Sequence, residues 1–452
     1  MLTSILLSSR MVLPAFTGAG LAILVAGSAP PAEPTVRSDT VNQASSLAWL
    51  SLLPDGVEKR QFIIDCTGCH QFDAVRGLKD GQARSHTEWA DAVTRMLGFA
   101  GPSSGFPVIS AAQTPGGTAA WLARHLTPGL KPPAMNRPAA SERVREYLFP
   151  AAQDLPHDVA VDPRGRVIVT GMFSHKMYSL EPNLGVWTPI EMKPEANPRA
   201  IEIDTAGRWW VVLGGPGQIG KYEGGAWTYY DIGLYAHSIA LGRNGSAFAN
   251  GHFSRNPEQI KEVTPSGSVQ THNLPPHPDL ATNGGGPIPY ELRAAPDGKI
   301  WMSELQGNRI VSLDPGTGAT EAFTLPTTSS GPRRFDVDRS GILWIPAYGA
   351  GTLVRFDPVR KTFEEISLPV KDAAPYVARV DSTTGVVWIG TGAADAVFAY
   401  DPATRQFATY GLPTHGAMIR HMWIDSDRGD IWLAYGESPG KSPARIARLH
   451  YR

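Results

Sequence analysis

Residues 66–70, Cys-Thr-Gly-Cys-His, hold both cysteines of this 452-residue chain. Two cysteines at i and i+3 with histidine next in line form the attachment pattern of a c-type haem. About one helical turn separates Cys66 from Cys69, so both sulfurs can form thioethers to the two haem vinyls while His70 reaches the iron as proximal ligand. A redox dithiol would leave His70 without a role and would favour a βαβ setting. A zinc site needs two further ligands, and the chain has no second Cys-x-x-Cys. The expectation is one covalent haem c and an electron-transfer role.

The sixth ligand is sought on the helices around that motif. "PDGVEKRQFIIDC" (54–66) suits a helix leading into it, and "GGTAAWLARHL" (116–126) suits a later one. Between them, Ser85 and Glu88 have capping-box spacing, and Trp89, Ala92, Val93, Met96 and Leu97 make an apolar helical face expected to point inward. Met96 is the sixth-ligand candidate, because a thioether raises the potential of an electron-transfer haem. Met135 in "KPPAMNRP" is its rival, with His86 and His125 behind it. Residues 45–127 resemble a small class I cytochrome c. "RSHTEWADAVTRM" also resembles the cytochrome domains of certain exported quinohaem dehydrogenases, in which an Arg-Met pair recurs.

A second set of candidates emerges from internal repetition. Anchoring each repeat three residues before its first turn glycine, or four where the turn is one residue longer as at Asp381, gives Asp162, Asp204, Gly242, Ala295, Asp338, Asp381 and Asp425, spaced 42, 38, 53, 43, 43 and 44 residues apart. Seven units with periods of about 40–45 residues and short alternating strands indicate propeller blades. Five residues before each anchor stand His157, Arg199, His237, Tyr290, Arg333, Tyr376 and Arg420, with no aliphatic residue among them. In a closed ring this column becomes a polar funnel, suited to a small anionic or phenolic substrate. Glu304 is a carboxylate alone in its own column, among Gly171, Leu213, Gly251, Ala347, Thr391 and Tyr435, and is a candidate base or cation ligand. The outer-strand pattern of "RVREYLFP" (143–150) predicts that this segment completes the last blade, which ends at "ARIARLHY" (444–451) without an outer strand.

The repeats "PDGKIWMSELQGNRIVSLDPGTGATEAFTLP", "IKEVTPSGSV" and "GPRRFDVDRSGILW" resemble the streptogramin lyase family, known from virginiamycin B lyase. The resemblance implies a seven-bladed propeller. It also implies a C–O lyase site built from two entrance histidines and acidic residues that help to hold Mg2+. Here the last two entrance positions are Arg420 and Tyr376, while His157 in "LPHDVAV" and His237 in "AHSIAL" stand in other blades. A rotated site using His157, His237 and Glu304 is therefore the alternative to electron transfer, and a non-catalytic docking propeller is the third reading.

Bulk composition narrows the partners. Forty-one basic against forty-two acidic residues give no electrostatic reason to expect nucleic acid or an anionic membrane. Arg10 followed by the apolar run 11–27 reads as an export signal over 1–29, and the run is interrupted by Pro14, Gly18 and Gly20 and is shorter than the roughly 20 residues a membrane span needs. The expectation is a periplasmic protein with no span after cleavage, acting with a redox partner protein or on a small substrate. Four prolines make 128–142 a linker to the propeller at 143–452. "GGPGQIG" (214–220) has no helix after it and reads as a turn rather than a phosphate loop. The fold class expected is an all-β seven-bladed propeller with a small N-terminal all-α cytochrome c domain.

Overall fold

Each repeat folds back on the residue used above as its anchor. The amides of Asp162, Asp204 and Asp338 donate to the carbonyls of Arg166, Arg208 and Ile342 at 2.9–3.0 Å, and the turn at Asp381, one residue longer, closes on Val386 at 2.9 Å. Aspartate recurs there because its carboxylate accepts from the turn's own backbone. Asp338 takes the amides of Ser340 and Ile342 and then the indole N–H of Trp344, and Asp204 does the same with Ala206, Arg208 and Trp210.

The computed structural model describes residues 45–452 except 136, 152, 281–285 and 438–443. The segment read as an export signal lies outside the described residues, and no helix among them is long and apolar enough to cross a membrane. The described strands include seven four-stranded antiparallel sheets, one per repeat. Second strands such as Val167–Gly171 and Leu343–Ala347 are buried along their whole length, because a blade is covered on both faces by its neighbours. As expected, the ring closes by joining distant parts of the chain. Val144–Leu148 pairs with Arg445–His450 from Val144↔Leu449 to Leu148↔Arg445 and supplies the outer strand of the last blade. No sheet edge is left open at the seam.

Among the described residues, five helices lie ahead of this strand: α1 (Ser46–Leu50), α2 (Val57–Cys66), α3 (Ala74–Gly77), α4 (His86–Ala100) and α5 (Pro115–His125). The capping box starts α4 as its sequence requires, with the Glu88 amide donating to Ser85 Oγ and the Ser85 amide to Glu88 Oε2. Trp49, Phe62, Phe72 and Trp89 interlock at ring separations of 5.1–6.2 Å. Their apolar cluster is continuous with Tyr290, Tyr348, Tyr376 and Met418 of the propeller. The helices and the ring thus share one core. Gly331 and Gly349 leave the space that Ile64 fills; a Cβ at either would stand 2.6–2.8 Å from its Cγ1. Burying that side chain contributes roughly 2 kcal/mol. Around it, Lys59 pairs with Asp372 at 2.7 Å and Arg76 with Glu437 at 2.7 Å.

Glu304 belongs to the packing between blades three and four. Both its carboxylate oxygens accept from Arg309 Nε at 2.6–2.7 Å, and Arg309 Nη2 donates to Glu258 at 2.8 Å. Two buried carboxylates share one guanidinium, so one of them holds a proton. Burial, then the charge of Glu304, pushes Glu258 up to about 9.

Two outcomes follow from this architecture. Tyr147 is buried against Trp432 at 5.9 Å on the closing strand, and Tyr147→Ala is expected to cost about 3 kcal/mol or more, read as a lower urea midpoint. Folded Glu258 binds its proton up to about 9, whereas an unfolded glutamate releases it near 4.5. Between those values the native state binds more protons, so stability falls as pH rises, with a slope approaching about 1.4 kcal/mol per pH unit. Glu258→Gln is expected to flatten this slope in unfolding curves taken between pH 6 and 9.

Candidate functional site in the propeller funnel

The polar column turns inward because the inner strands bulge there. In the first blade Pro156 pairs with Gly171 and Val159 with Val169, so His157 and Asp158 together face Thr170 alone. The same slip occurs at Arg199, His237 and Tyr290, and a one-residue slip frees Tyr376 and Arg420. A bulge takes a residue out of the ladder and re-aims its side chain. The freed amides are taken up by neighbours: Asn250 Oδ1 accepts from both His237 and Ser238, and Thr170 Oγ1 accepts from Asp158. The fifth blade has only Asp336–Val337 as its inner strand, and the Arg333 amide donates instead to the Pro346 carbonyl.

All seven column residues line one cavity of about 70 Å3, together with Gly68 and Cys69 of the haem-type motif. The helical layer therefore caps the funnel with that loop. Arg420 donates to the carbonyls of Gly68 (3.3 Å), Cys69 (2.6 Å) and Gly436 (3.0 Å). Arg333 lies over Tyr348, Tyr376 and Tyr290 at 4.1, 4.4 and 5.1 Å and donates to Tyr290 Oη at 2.8 Å. Gly68 leaves room for the end of the Arg333 side chain, whose Nη2 would stand 2.5 Å from a Cβ there. Tyr348 Oη donates to the Thr67 carbonyl at 2.7 Å. Phe106, from the loop after α4, packs on Tyr235 and Phe253, and Arg199 stacks over Phe106 at 5.3 Å and Tyr235 at 4.7 Å.

Three imidazoles face the same space. His157 Nδ1 bonds Asp158 at 2.7 Å; His237 Nδ1 donates to the Tyr290 carbonyl at 2.9 Å and His252 Nδ1 to the Pro289 carbonyl at 2.7 Å. The His237 ring lies 5.0 Å from His157 and 4.7 Å from His252. Burial is the largest influence on each: it lowers His157 and His252 to about 3 and His237 well below the usual range, so all three are neutral near pH 7. Burial likewise lowers Arg199 to about 9.

The structure thus brings His157 and His237 together with the substrate-binding candidates Arg199, Tyr290, Arg333, Tyr376 and Arg420, while Glu304 does not line the cavity. His252 was missed. It stands one residue after the Glu304 column, where Met172, Leu305 and Tyr348 also face the cap, and that neighbouring column was the available signal. Phe106 lies outside the repeats and carried no signal of its own.

At the cap, Cys66 ends α2 and neither cysteine is in a disulfide. Burial raises the Cys66 thiol and lowers His70, whose Nδ1 lies 3.1 Å from the Gln71 carbonyl. On α4, Trp89 and Val93 are buried, but Met96 stands at the open edge of that face, 36 % exposed. Met135 packs against the apolar cluster that Cys66 also touches. His86 is exposed, and His125 lies 5.7 Å from the Trp121 ring.

The model of the virginiamycin B lyase family matches residues 142–441. No curated protein matches the chain. Similar solved structures include a streptogramin B lyase, at 21% identity and TM-score 0.59, covering 68% of this chain and 96% of that one. Selenomethionine-substituted virginiamycin B lyase from Staphylococcus aureus matches at 19% identity and TM-score 0.59, with 68% and 99% covered. A catalytically inactive variant of the same lyase with quinupristin gives the same values. At such identities the structural likeness speaks for the fold, and the family match covers the blades alone. Through its propeller, the chain belongs to the virginiamycin B lyase family.

Proposed function

We propose that the protein is an exported c-type haem protein in which residues 45–127 carry the redox centre and the propeller holds a ligand or partner beneath it. The observation that carries this reading is the position of the Cys-x-x-Cys-His stretch at the mouth of the funnel, where Gly68 and Cys69 line the cavity. The side-chain types are those the group requires, although the cavity of about 70 Å3 would have to open to admit it. Both thiols are free to add across a vinyl bond, and a neutral His70 with Nδ1 turned to a backbone carbonyl leaves Nε2 for iron, the arrangement usual for a metal-bound imidazole. When bound, haem c would supply one-electron chemistry at that loop. The chain's own part is to hold the loop. Arg420 fixes two of its carbonyls, Arg333 packs against Gly68, and the aromatic cluster around Phe62 and Phe72 keeps water away.

Family membership and the funnel imidazoles favour a second reading, a lyase using His157 or His237 as base. Mg2+ does not fit this funnel. It requires oxygen ligands, and Asp65, the carboxylate that lines the cavity, already accepts from Ser110, Gln61, Gln113 and Gln306. Among the described residues no group of three or more histidine, cysteine, aspartate or glutamate side chains is placed to hold a metal ion. A cavity of about 70 Å3 is also far below the roughly 300–1,000 Å3 of drug-sized ligand sites, so a large lactone would require the cap to lift.

Expression with a haem-attachment system is expected to give a coloured protein heavier by one haem, with a c-type pyridine haemochrome spectrum absent from the Cys66→Ser/Cys69→Ser double variant. A colourless wild-type chain of unmodified mass rejects the reading. Retained streptogramin cleavage in the double variant would establish the lyase instead. Met96→Leu is expected to remove the near-infrared methionine–iron band; its retention there and loss in Met135→Leu would transfer the sixth ligand to Met135.

A further inference from the structure

Buried arginines elsewhere in the propeller are matched by carboxylates: Arg334 by Asp158 at 2.8 Å, Arg379 by Glu291 at 2.9 Å, and Arg309 by Glu304 and Glu258. The three guanidiniums of the funnel are different. Arg199, Arg333 and Arg420 are 4, 2 and 5 % exposed and line one cavity, yet none has a carboxylate within ion-pair distance among the described residues. Their donors go instead to carbonyls, the Asn197 amide and tyrosine hydroxyls. Two buried polar atoms of lining residues, Arg333 Nε and His252 Nε2, have no partner at all. Asp65, at the rim, is spent on its own donors.

Charge left unpaired in a buried site is compensated either by losing a proton, which guanidinium resists, or by a counter-ion. Size then restricts the ion. A cavity of about 150 Å3 is known to admit benzene, whereas about 70 Å3 has room for roughly five water-sized groups. That removes the phenolic ligand from the expectation and leaves an anion of four or five heavy atoms. The histidine supplies a second restriction. Because His252 Nδ1 must donate to the Pro289 carbonyl, the neutral ring presents Nε2 as an acceptor. A bare carboxylate offers it nothing, but a hydroxyl does.

We infer that the capped funnel is a binding site for a small hydroxyl-bearing oxoanion, a 2-hydroxy carboxylate or bicarbonate, with its paired oxygens on the guanidinium forks of Arg199 and Arg333 and its hydroxyl donating to His252 Nε2. This deepens the proposed function by naming the ligand class of the same funnel, and rests on the reading of that funnel as a ligand site. It does not require the haem.

The test is calorimetric titration of the full chain with glycolate, bicarbonate, acetate, chloride and 4-hydroxybenzoate, with haem content measured on each sample. Glycolate and bicarbonate are expected to bind at least tenfold tighter than acetate, with no binding of chloride or 4-hydroxybenzoate. Arg199→Met is expected to weaken both ligands at least tenfold. His252→Phe keeps the ring stacking and is expected to erase the preference for glycolate over acetate while leaving acetate unchanged; the circular dichroism spectrum checks that each variant is folded. Binding of none of the anions overturns the inference, as does glycolate binding that His252→Phe leaves intact. Binding to the Cys66→Ser/Cys69→Ser chain but not to haem-loaded protein also overturns it, because the arginines would then serve the haem carboxylates. Binding by a wild-type chain that contains no haem upholds the site and rejects the electron-transfer reading.

Discussion

A bulge at one place in the inner strands is the constraint from which the site follows. Where two residues face one across the ladder, the extra side chain leaves the blade surface and enters the axis, and the chain repeats this in six of its seven blades. The backbone groups set loose are recovered locally, by Thr170, Asn250 and Ser303. Because that recovery does not depend on the inward side chain, the column is free to carry arginine, histidine or tyrosine without loss of the fold. The cost appears as buried charge.

The helical layer answers that cost in part. Backbone carbonyls of Gly68 and Cys69 are acceptors for Arg420 beside that of Gly436, and three tyrosine rings give the Arg333 guanidinium a face to lie on. The reverse dependence holds as well: the loop 67–70 contributes two carbonyls that would be unpaired away from the propeller. Neither part is complete alone, which is why their apolar residues form one continuous cluster across the linker.

Much of the ring was legible in the sequence because repetition multiplies weak signals. One aspartate before a turn says little; three at a constant register, each capping its own turn, locate the blades, and the longer turn at Asp381 was legible from its extra residue. The closing strand was legible through its outer-strand pattern, and α4 through its capping box. What escaped is what repetition does not encode. Glu304 was singled out for being alone in its column, but it pairs with Arg309 across its own hairpin, and only the packing of two blades brings Glu258 to the same guanidinium. The docking of the cap was equally hidden, since Ile64 against Gly331 and Gly349 is a match of shape between segments more than 260 residues apart.

The funnel and the loop above it share one electrostatic enclosure. Arg333 meets both, through Gly68 on one side and the cavity on the other, so a charge change at the loop would act at short range on a ligand below. Coupling of that kind is reciprocal. An anion settled among Arg199, Arg333 and Arg420 would favour the more positive state of a redox group attached at that loop, were one bound there, and that state would in turn hold the anion more tightly. A propeller whose axis was lined by paired charges, as it is below this level around Arg334 and Asp158, would have no such sensitivity, because its field would already be cancelled. The lack of carboxylate partners at the top of the channel is therefore what allows the cap and the funnel to influence each other.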